Sequence, residues 1–263
     1  MPAQREEGDR DERPMRVGVA GYGLSGEVFH CPLIEATPGM EVAVVVTSNE
    51  ERSSKAAARY PGAEVVPDIA DAWNGIDLLV VASPNRSHAE LALGAVERDL
   101  PVVIDKPLAA TLDEAKRVNR AGGRVTVFQN RRWDGDFMTL RSILDEGSLG
   151  QIVRFESRFE RFRQEIRDAW RESGDPLDGG GQLADLGAHL IDQAIVLFGP
   201  PSSVYAEVDT RRQGAVTDDD VFVAIDAPLI VRNLTGRRRA EQLISRCFGA
   251  YHASAHSANL GLP

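Results

Sequence analysis

Arg16-Val17-Gly18-Val19-Ala20-Gly21-Tyr22-Gly23-Leu24-Ser25-Gly26 is a short apolar run that breaks into a glycine-rich turn at the head of a helical pattern. Such a turn suits a dinucleotide. Gly21 allows the tight bend, Gly23 lets backbone N–H groups approach a pyrophosphate, and Gly26 lets the following helix pack against the strand. The helix N-terminus adds partial positive charge for the anion. A G-x-G-x-x-G match also arises by chance in ordinary turns, so the surrounding chain must decide its meaning.

That chain alternates. Arg16–Ala20, Glu41–Thr47, Glu64–Val66, Asp77–Ala82, Pro101–Ile104 and Arg124–Phe128 read as strands, and Glu50–Tyr60, His88–Arg98 and Leu112–Ala121 as helices. Apolar strands without polar alternation imply burial on both faces, and strand–helix alternation implies a parallel, doubly wound α/β sheet of Rossmann type. After about Asn130 the pattern changes. Val153, Phe155, Ser157 and Phe159 alternate with Arg154, Glu156, Arg158 and Glu160, as in a strand with one buried face. Gly179–Gly181 precedes a helix from about Leu183 to Leu197, and Val204–Thr210 and Val221–Asp226 read as further strands. The expected organisation is a polar, disordered leader at 1–14, a Rossmann domain at 15–128, and a smaller α+β domain with an antiparallel sheet at 129–226.

From Ala227 to Pro263 the pattern stops. One acid, Glu241, stands against Arg232, Arg237, Arg238, Arg239 and Arg246, and strand periodicity is lost. This segment reads either as a basic surface tail or as a divergent end. The 263-residue chain is 43% hydrophobic, enough for a substantial core. Its net charge of -10 argues against a nucleic-acid surface. No apolar run reaches the roughly 20 residues of a membrane span, and the N-terminus is not signal-like, so a cytoplasmic protein with a small-molecule ligand is expected. Cys31 and Cys247 lie far apart without metal-type spacing, so no metal site and no disulfide framework is expected.

Four further stretches carry chemistry. At the end of the second strand Val46 is followed by Thr47, Ser48 and Asn49, with Arg52 beyond, and no carboxylate stands at the strand tip to bind a ribose 2′-hydroxyl. Hydroxyls with an arginine suit a 2′-phosphate, which favours NADP(H) and leaves NAD(H) as the alternative. Ser83-Pro84-Asn85-Arg86-Ser87-His88 closes the fourth strand, and Asp105-Lys106-Pro107 closes the fifth. Ligands of open parallel sheets bind outside the carboxyl ends of strands, so Lys106 is a candidate for proton transfer. In Leu183-Ala184-Asp185-Leu186-Gly187-Ala188-His189, Asp185 and His189 are four apart and share a helix face. They form a polar-site candidate, with Asp192 placed to orient the imidazole; metal ligation is a second reading that no other ligand cluster supports.

Together these motifs resemble the glucose-fructose oxidoreductase/inositol dehydrogenase (Gfo/Idh/MocA) family over about Met15 to Asp226. The marks are Gly21-Tyr22-Gly23, Ser83-Pro84-Asn85 with His88, Asp105-Lys106-Pro107, and Asp185 with His189. Ala20–Gly26 with Val28-Phe29-His30, and Asn130-Arg131-Arg132-Trp133-Asp134, resemble the branch containing NADP-dependent scyllo-inositol dehydrogenases. The resemblance implies a dehydrogenase acting on a polyol, inositol or sugar, with Lys106, Asp185 and His189 as the catalytic group. It implies cofactor contacts from Gly21, Tyr22, Gly23, Leu24, Thr47, Ser48, Arg52, Ser83, Pro84, Asn85, His88, Asp105 and Lys106. It places Arg131 and Trp133, with Asp185 and His189, at the substrate, and a homo-oligomer contact on the second-domain sheet. Asp105 stands where the family most often has glutamate, and Ala227–Pro263 lacks the family's further strands and returning helix. The expected consequence is an incomplete sheet with an exposed edge, through truncation or a frame change near Asp226. A non-catalytic dinucleotide-binding regulator or an inactive family member is the alternative reading.

Overall fold

A computed structural model of the chain describes residues 13–166 and 169–226. Residues 1–12 of the expected leader and all of the expected tail at 227–263 lie outside the described residues. The chain divides into two compact units, one comprising the chain up to Ser83 with Asp99–Val103, the other Pro84–Arg98 with the chain from Ile104 onward.

The first unit is built on strands that are apolar throughout. β1 (Met15–Ala20) pairs in parallel with β2 (Met40–Val46), β2 with β3 (Glu64–Val66), and β1 on its other side with β4 (Leu78–Val81). Val17, Val19, Val45 and Leu79 are fully buried, as continuous burial on both sheet faces requires. Each such side chain contributes about 1.5–3 kcal/mol of burial. Between the strands run α1 (Cys31–Ala36), entered through a π-helical stretch at Ser25–His30, and α2 (Glu50–Arg59). Asn49 starts α2 because its side-chain oxygen accepts the Arg52 N–H at 2.9 Å. Cys31 and Tyr22 join this core, and the Tyr22 ring meets that of Tyr60 edge-on at 6.5 Å. Burial pushes the Cys31 thiol up to about 12, so the residue serves packing.

With β5 (Val102–Asp105) and β6 (Val125–Phe128) the sheet order is β3-β2-β1-β4-β5-β6, the doubly wound arrangement expected from strand–helix alternation. The expected strands and helices of this half lie within a residue of those observed, including α3 (His88–Glu97) and α4 (Leu112–Ala121). α4 opens on a capping box in which Thr111 and Glu114 satisfy each other's backbone N–H groups.

The second unit continues with α5 (Gly135–Asp145), α6 (Ala188–Phe198), and an antiparallel pair, β7 (Ser203–Asp209) with β8 (Asp220–Asp226), running from Ser203 opposite Asp226 to Asp209 opposite Asp220. Its apolar centre is Phe137, Val196 and Leu197, with Leu140, Phe155 and Phe198 packed against them. One sequence expectation is corrected here. Val153–Phe159 forms no strand, and Val153 is 89% exposed. Its alternation does mark a packed side, since Phe155 meets Phe198 at 5.3 Å, but a strand also needs a hydrogen-bonded neighbour, and none pairs with it among the described residues. The helix expected from about Leu183 to Leu197 is present, its first turn π-helical at Leu183–Gly187 and continuing into α6. α5 was not expected.

Gly21 fixes the exit of β1. Its φ is +103°, and a Cβ there would lie 2.5 Å from the carbonyl oxygen of Ala82. Gly21→Ala therefore combines left-handed strain with a backbone clash, and is expected to destabilise the protein by about 2 kcal/mol or more in urea unfolding.

Candidate functional site

In the first unit, the turn after β1 is compact because two glycines stand close. A Cβ on Gly26 would strike the Gly21 carbonyl, whereas a Cβ on Gly23 would meet only the Arg52 guanidinium, 3.8 Å away. The backbone of Gly23 is thus open to a phosphate, and Arg52 reaches toward it from α2. Beside it, at the carboxyl end of β2, is a cleft of about 470 Å³ lined by Thr47, Ser48, Asn49, Glu50, Ser53 and Ser54, with Val65–Pro67 as its other wall. Glu50 brings a carboxylate into a lining whose strand tip carries none. Tyr22 packs into the core, and Leu24 is exposed.

The second unit holds the titratable cluster. Lys106 follows β5, and its Nζ donates to Asp185 Oδ1 at 2.8 Å and to the Asp185 carbonyl at 3.0 Å. Both side chains are 15% exposed. The Lys106 turn is fastened on two sides. Asp105 Oδ1 accepts the Lys106 backbone N–H at 2.9 Å, and the Lys106–Pro107 peptide is cis. His88 Nδ1 lies 2.6 Å from the Pro107 carbonyl, which only accepts, so this nitrogen carries the hydrogen. His88 is buried and is used in supporting the turn. Asn85 similarly donates to the Asp178 carbonyl at 2.6 Å, and Arg86 pairs with Asp175 and Asp178. Ser83 and Pro84 lead into that stretch.

Asp185 has a second cation that sequence reasoning missed. Arg171 Nε donates to Asp185 Oδ2 at 2.7 Å, and its guanidinium stacks on the Trp170 ring at 4.3 Å, with Lys106 Nζ 5.9 Å from the same ring. An aromatic-basic pair in a loop rich in arginine carries no spacing that would single it out. His189 is buried one turn beyond Asp185 at the start of α6. Asp192, expected beside His189, has a cation of its own: its two oxygens accept from Arg132, at 2.6 and 2.8 Å. Burial pushes the Asp192 carboxyl up to about 6 in spite of that pairing. Of the two expected substrate residues, Trp133 is 71% exposed, whereas the Arg131 side chain is largely buried, 3.9 Å from Asp134 and 5.4 Å over the Phe159 ring. Burial drives the Asp134 carboxyl up to about 7. Among the described residues, no group of three or more His, Cys, Asp or Glu side chains is placed to hold a metal, and no helix is long and apolar enough to cross a membrane.

Comparison with known proteins adds family evidence. Residues 15–126 match the family model described as "Oxidoreductase family, NAD-binding Rossmann fold", and residues 137–228 match "GFO/IDH/MocA C-terminal domain". The chain is 44% identical over 220 residues to the uncharacterized oxidoreductase YdgJ of Escherichia coli, covering 81% of this chain and 62% of that protein. It is 36% identical over 225 residues to the scyllo-inositol 2-dehydrogenase (NADP(+)) IolW of Bacillus subtilis, covering 83% and 62%. Among solved structures it resembles the oxidoreductase yvaA of Bacillus subtilis, with a TM-score of 0.77 and 35% identity over 84% of this chain and 63% of that one. The chain therefore spans about three-fifths of the length of these relatives.

Burial opposes ionisation of Asp185, but the charges and hydrogen bonds of Lys106 and Arg171 outweigh it and hold the carboxyl at about 2, below its ordinary 3.8. A depressed folded-state value means that this group's stabilisation is present above pH 3.8 and is lost as pH falls through 2. Asp185→Asn is expected to cost about 3 kcal/mol at neutral pH, by stranding two cations. In urea unfolding at a series of pH values, that difference should shrink below pH 4 and vanish near pH 2.

Proposed function

The chain belongs to the GFO/IDH/MocA oxidoreductase family, and from that premise we propose that it is an NADP(H)-preferring dehydrogenase of a polyol, inositol or sugar. The observation that carries this reading is the enclosed Lys106–Asp185 pair at 2.8 Å, a proton-handling group at the end of a strand of a dinucleotide-type sheet. In this reading residues 15–128 serve the cofactor and residues 129–226 the substrate and any assembly with further copies.

The residues present fit a dinucleotide. The backbone at Gly23 is open, the Gly21–Gly26 bend is as tight as backbone sterics allow, and hydroxyls of Thr47 and Ser48 line the neighbouring cleft. Gly21, Gly23 and Leu24 would hold the pyrophosphate through the turn, and Thr47, Ser48 and Arg52 the adenosine ribose and its 2′-phosphate. The 36% identity to an NADP-dependent scyllo-inositol dehydrogenase supports both the cofactor and the polyol class. Bound there, the nicotinamide group supplies or takes the hydride.

The protein's own contribution is proton handling and orientation. Lys106 carries the proton exchanged with the substrate oxygen: neutral, it accepts the hydroxyl proton on oxidation, and protonated, it donates one on reduction. Asp185 fixes Nζ in position and offers its carboxylate to a neighbouring hydroxyl. His189, buried one turn away, is the second proton-handling group, and Arg131 contributes to the substrate pocket. The same positioning turns a bimolecular encounter into an oriented one.

Three outcomes test this reading. With a panel of inositols, sugars and other polyols, the purified protein is expected to reduce NADP+ in preference to NAD+, and Lys106→Ala to lower kcat by about 10²–10⁴. A wild-type rate in Lys106→Ala overturns the assigned chemistry. Arg52→Ala is expected to weaken NADPH binding by about tenfold or more with little effect on NADH, measured by cofactor fluorescence titration.

A further inference from the structure

The loop that joins β7 to β8 is tied to the Lys106–Asp185 pair by charged side chains. Arg212, on this loop, grips Glu172 through both guanidinium arms, at 3.1 and 2.7 Å, while its Nε donates to Asp219 at 2.7 Å. All three side chains are largely buried. Glu172 ends the single turn Trp170–Glu172, whose other two residues are the ones that cover the pair: Trp170 faces Lys106, and Arg171 binds Asp185. The same loop reaches Asp185 from its other side. Asp218 accepts the Leu183 N–H through its carboxylate at 2.7 Å and the Gln182 N–H through its carbonyl at 3.0 Å, just before the turn that carries Asp185. Between these two grips runs Gly179–Gly181, where the Gly181 N–H donates to the Arg171 carbonyl at 2.9 Å. A Cβ on Gly180 or on Gly181 would strike the Ser173 carbonyl or the Asp218 carboxylate.

We propose that Arg212 is a positioning residue, which, with Glu172 and Asp219, clamps the Trp170–Glu172 turn over the Lys106–Asp185 pair and so sets the enclosure and reactivity of Lys106. The effect on turnover rests on the dehydrogenase reading; the effect on Lys106 enclosure does not. Arg212 touches none of the reacting groups and acts through Glu172 and the turn. A planar guanidinium suits this role, because it satisfies two carboxylates in fixed directions at once, which an ammonium does not. Enclosure also explains why the cover is held by ions: an apolar contact would secure the turn without fixing the direction of Arg171.

The chain offers its own internal controls, because it contains three lysines, Lys55, Lys106 and Lys116. Lys55 and Lys116 have side chains 52% and 41% exposed, against 15% for Lys106. Amine acylation by acetic anhydride, followed by peptide mass spectrometry, reads the three rates in one sample and needs no turnover. In wild type, Lys106 is expected to react more slowly than the other two. Arg212→Met is expected to speed Lys106 about tenfold with Lys55 and Lys116 unchanged, Glu172→Gln to shift it in the same direction, and Arg212→Lys to lie between Arg212→Met and wild type, since one of the two carboxylate grips survives. Unchanged Lys106 labelling in folded Arg212→Met and Glu172→Gln overturns the proposal. If Arg212→Met accelerates all three lysines together, it has unfolded, and the milder Glu172→Gln decides by the same criterion. In active protein, Arg212→Met should lower kcat by up to about 100-fold, the cost of a misplacement near 1 Å, with the Kd for NADPH unchanged. Absence of any polyol oxidation by wild type would defeat the dehydrogenase reading and leave the labelling result standing.

Discussion

A carboxylate withdrawn from water must find its compensation nearby, and Asp185 finds it in two cations. Burial alone would raise its pKa; Lys106 on one oxygen and Arg171 on the other reverse the sign. Much of the second unit's local structure serves this arrangement. The β5 exit delivers Lys106, His88 and Asp105 fasten its turn, the π-helical start at Leu183–Gly187 delivers Asp185, and the Trp170–Glu172 turn delivers Arg171. Each of these pieces is an irregular segment, so charge and hydrogen bonding replace ladder pairing as the means of holding them. Buried ion pairs add little net stability, because desolvation offsets attraction, but they are directional. In this unit direction is what the proposed chemistry requires.

The first unit solves a different problem by different means. A dinucleotide needs close approach of backbone to phosphate, which depends on missing side chains and a rigid floor beneath them. β1, β2 and β4 provide the floor through valine and leucine side chains that are wholly buried, and Gly21 lies so near the Ala82 carbonyl that no Cβ fits. The sheet core and the glycine bend are therefore one device, in which apolar packing fixes where the open backbone at Gly23 stands.

This contrast explains what could be read from the sequence. The Rossmann half was legible because its signals are local and periodic: apolar strands alternating with helical patterns, and the glycine turn after the first strand. Lys106, Asp185 and His189 stood out for their place at element ends. Arg171, Arg132 and Arg212 did not, because an arginine's role depends on which carboxylate it meets, and their partners lie 14, 60 and 40 residues away. Asp192 likewise meets Arg132, a partner from another segment that its helical spacing from His189 does not announce. The Val153–Phe159 alternation failed in another way: it correctly marks a packed side through Phe155, yet side-chain period carries no information on the strand that must lie alongside.

The β7–β8 hairpin joins these threads. Two strands cannot bury a face of their own, and β7 is exposed along its whole length. At its tip, Arg211, Arg212, Asp218 and Asp219 tie into each other and into the Trp170–Glu172 and Leu183 segments. The loop thus belongs both to the hairpin and, through Glu172, to the turn that carries Arg171. The residues around the proposed catalytic pair are for this reason spread over more of the second unit than the motif that first identified them.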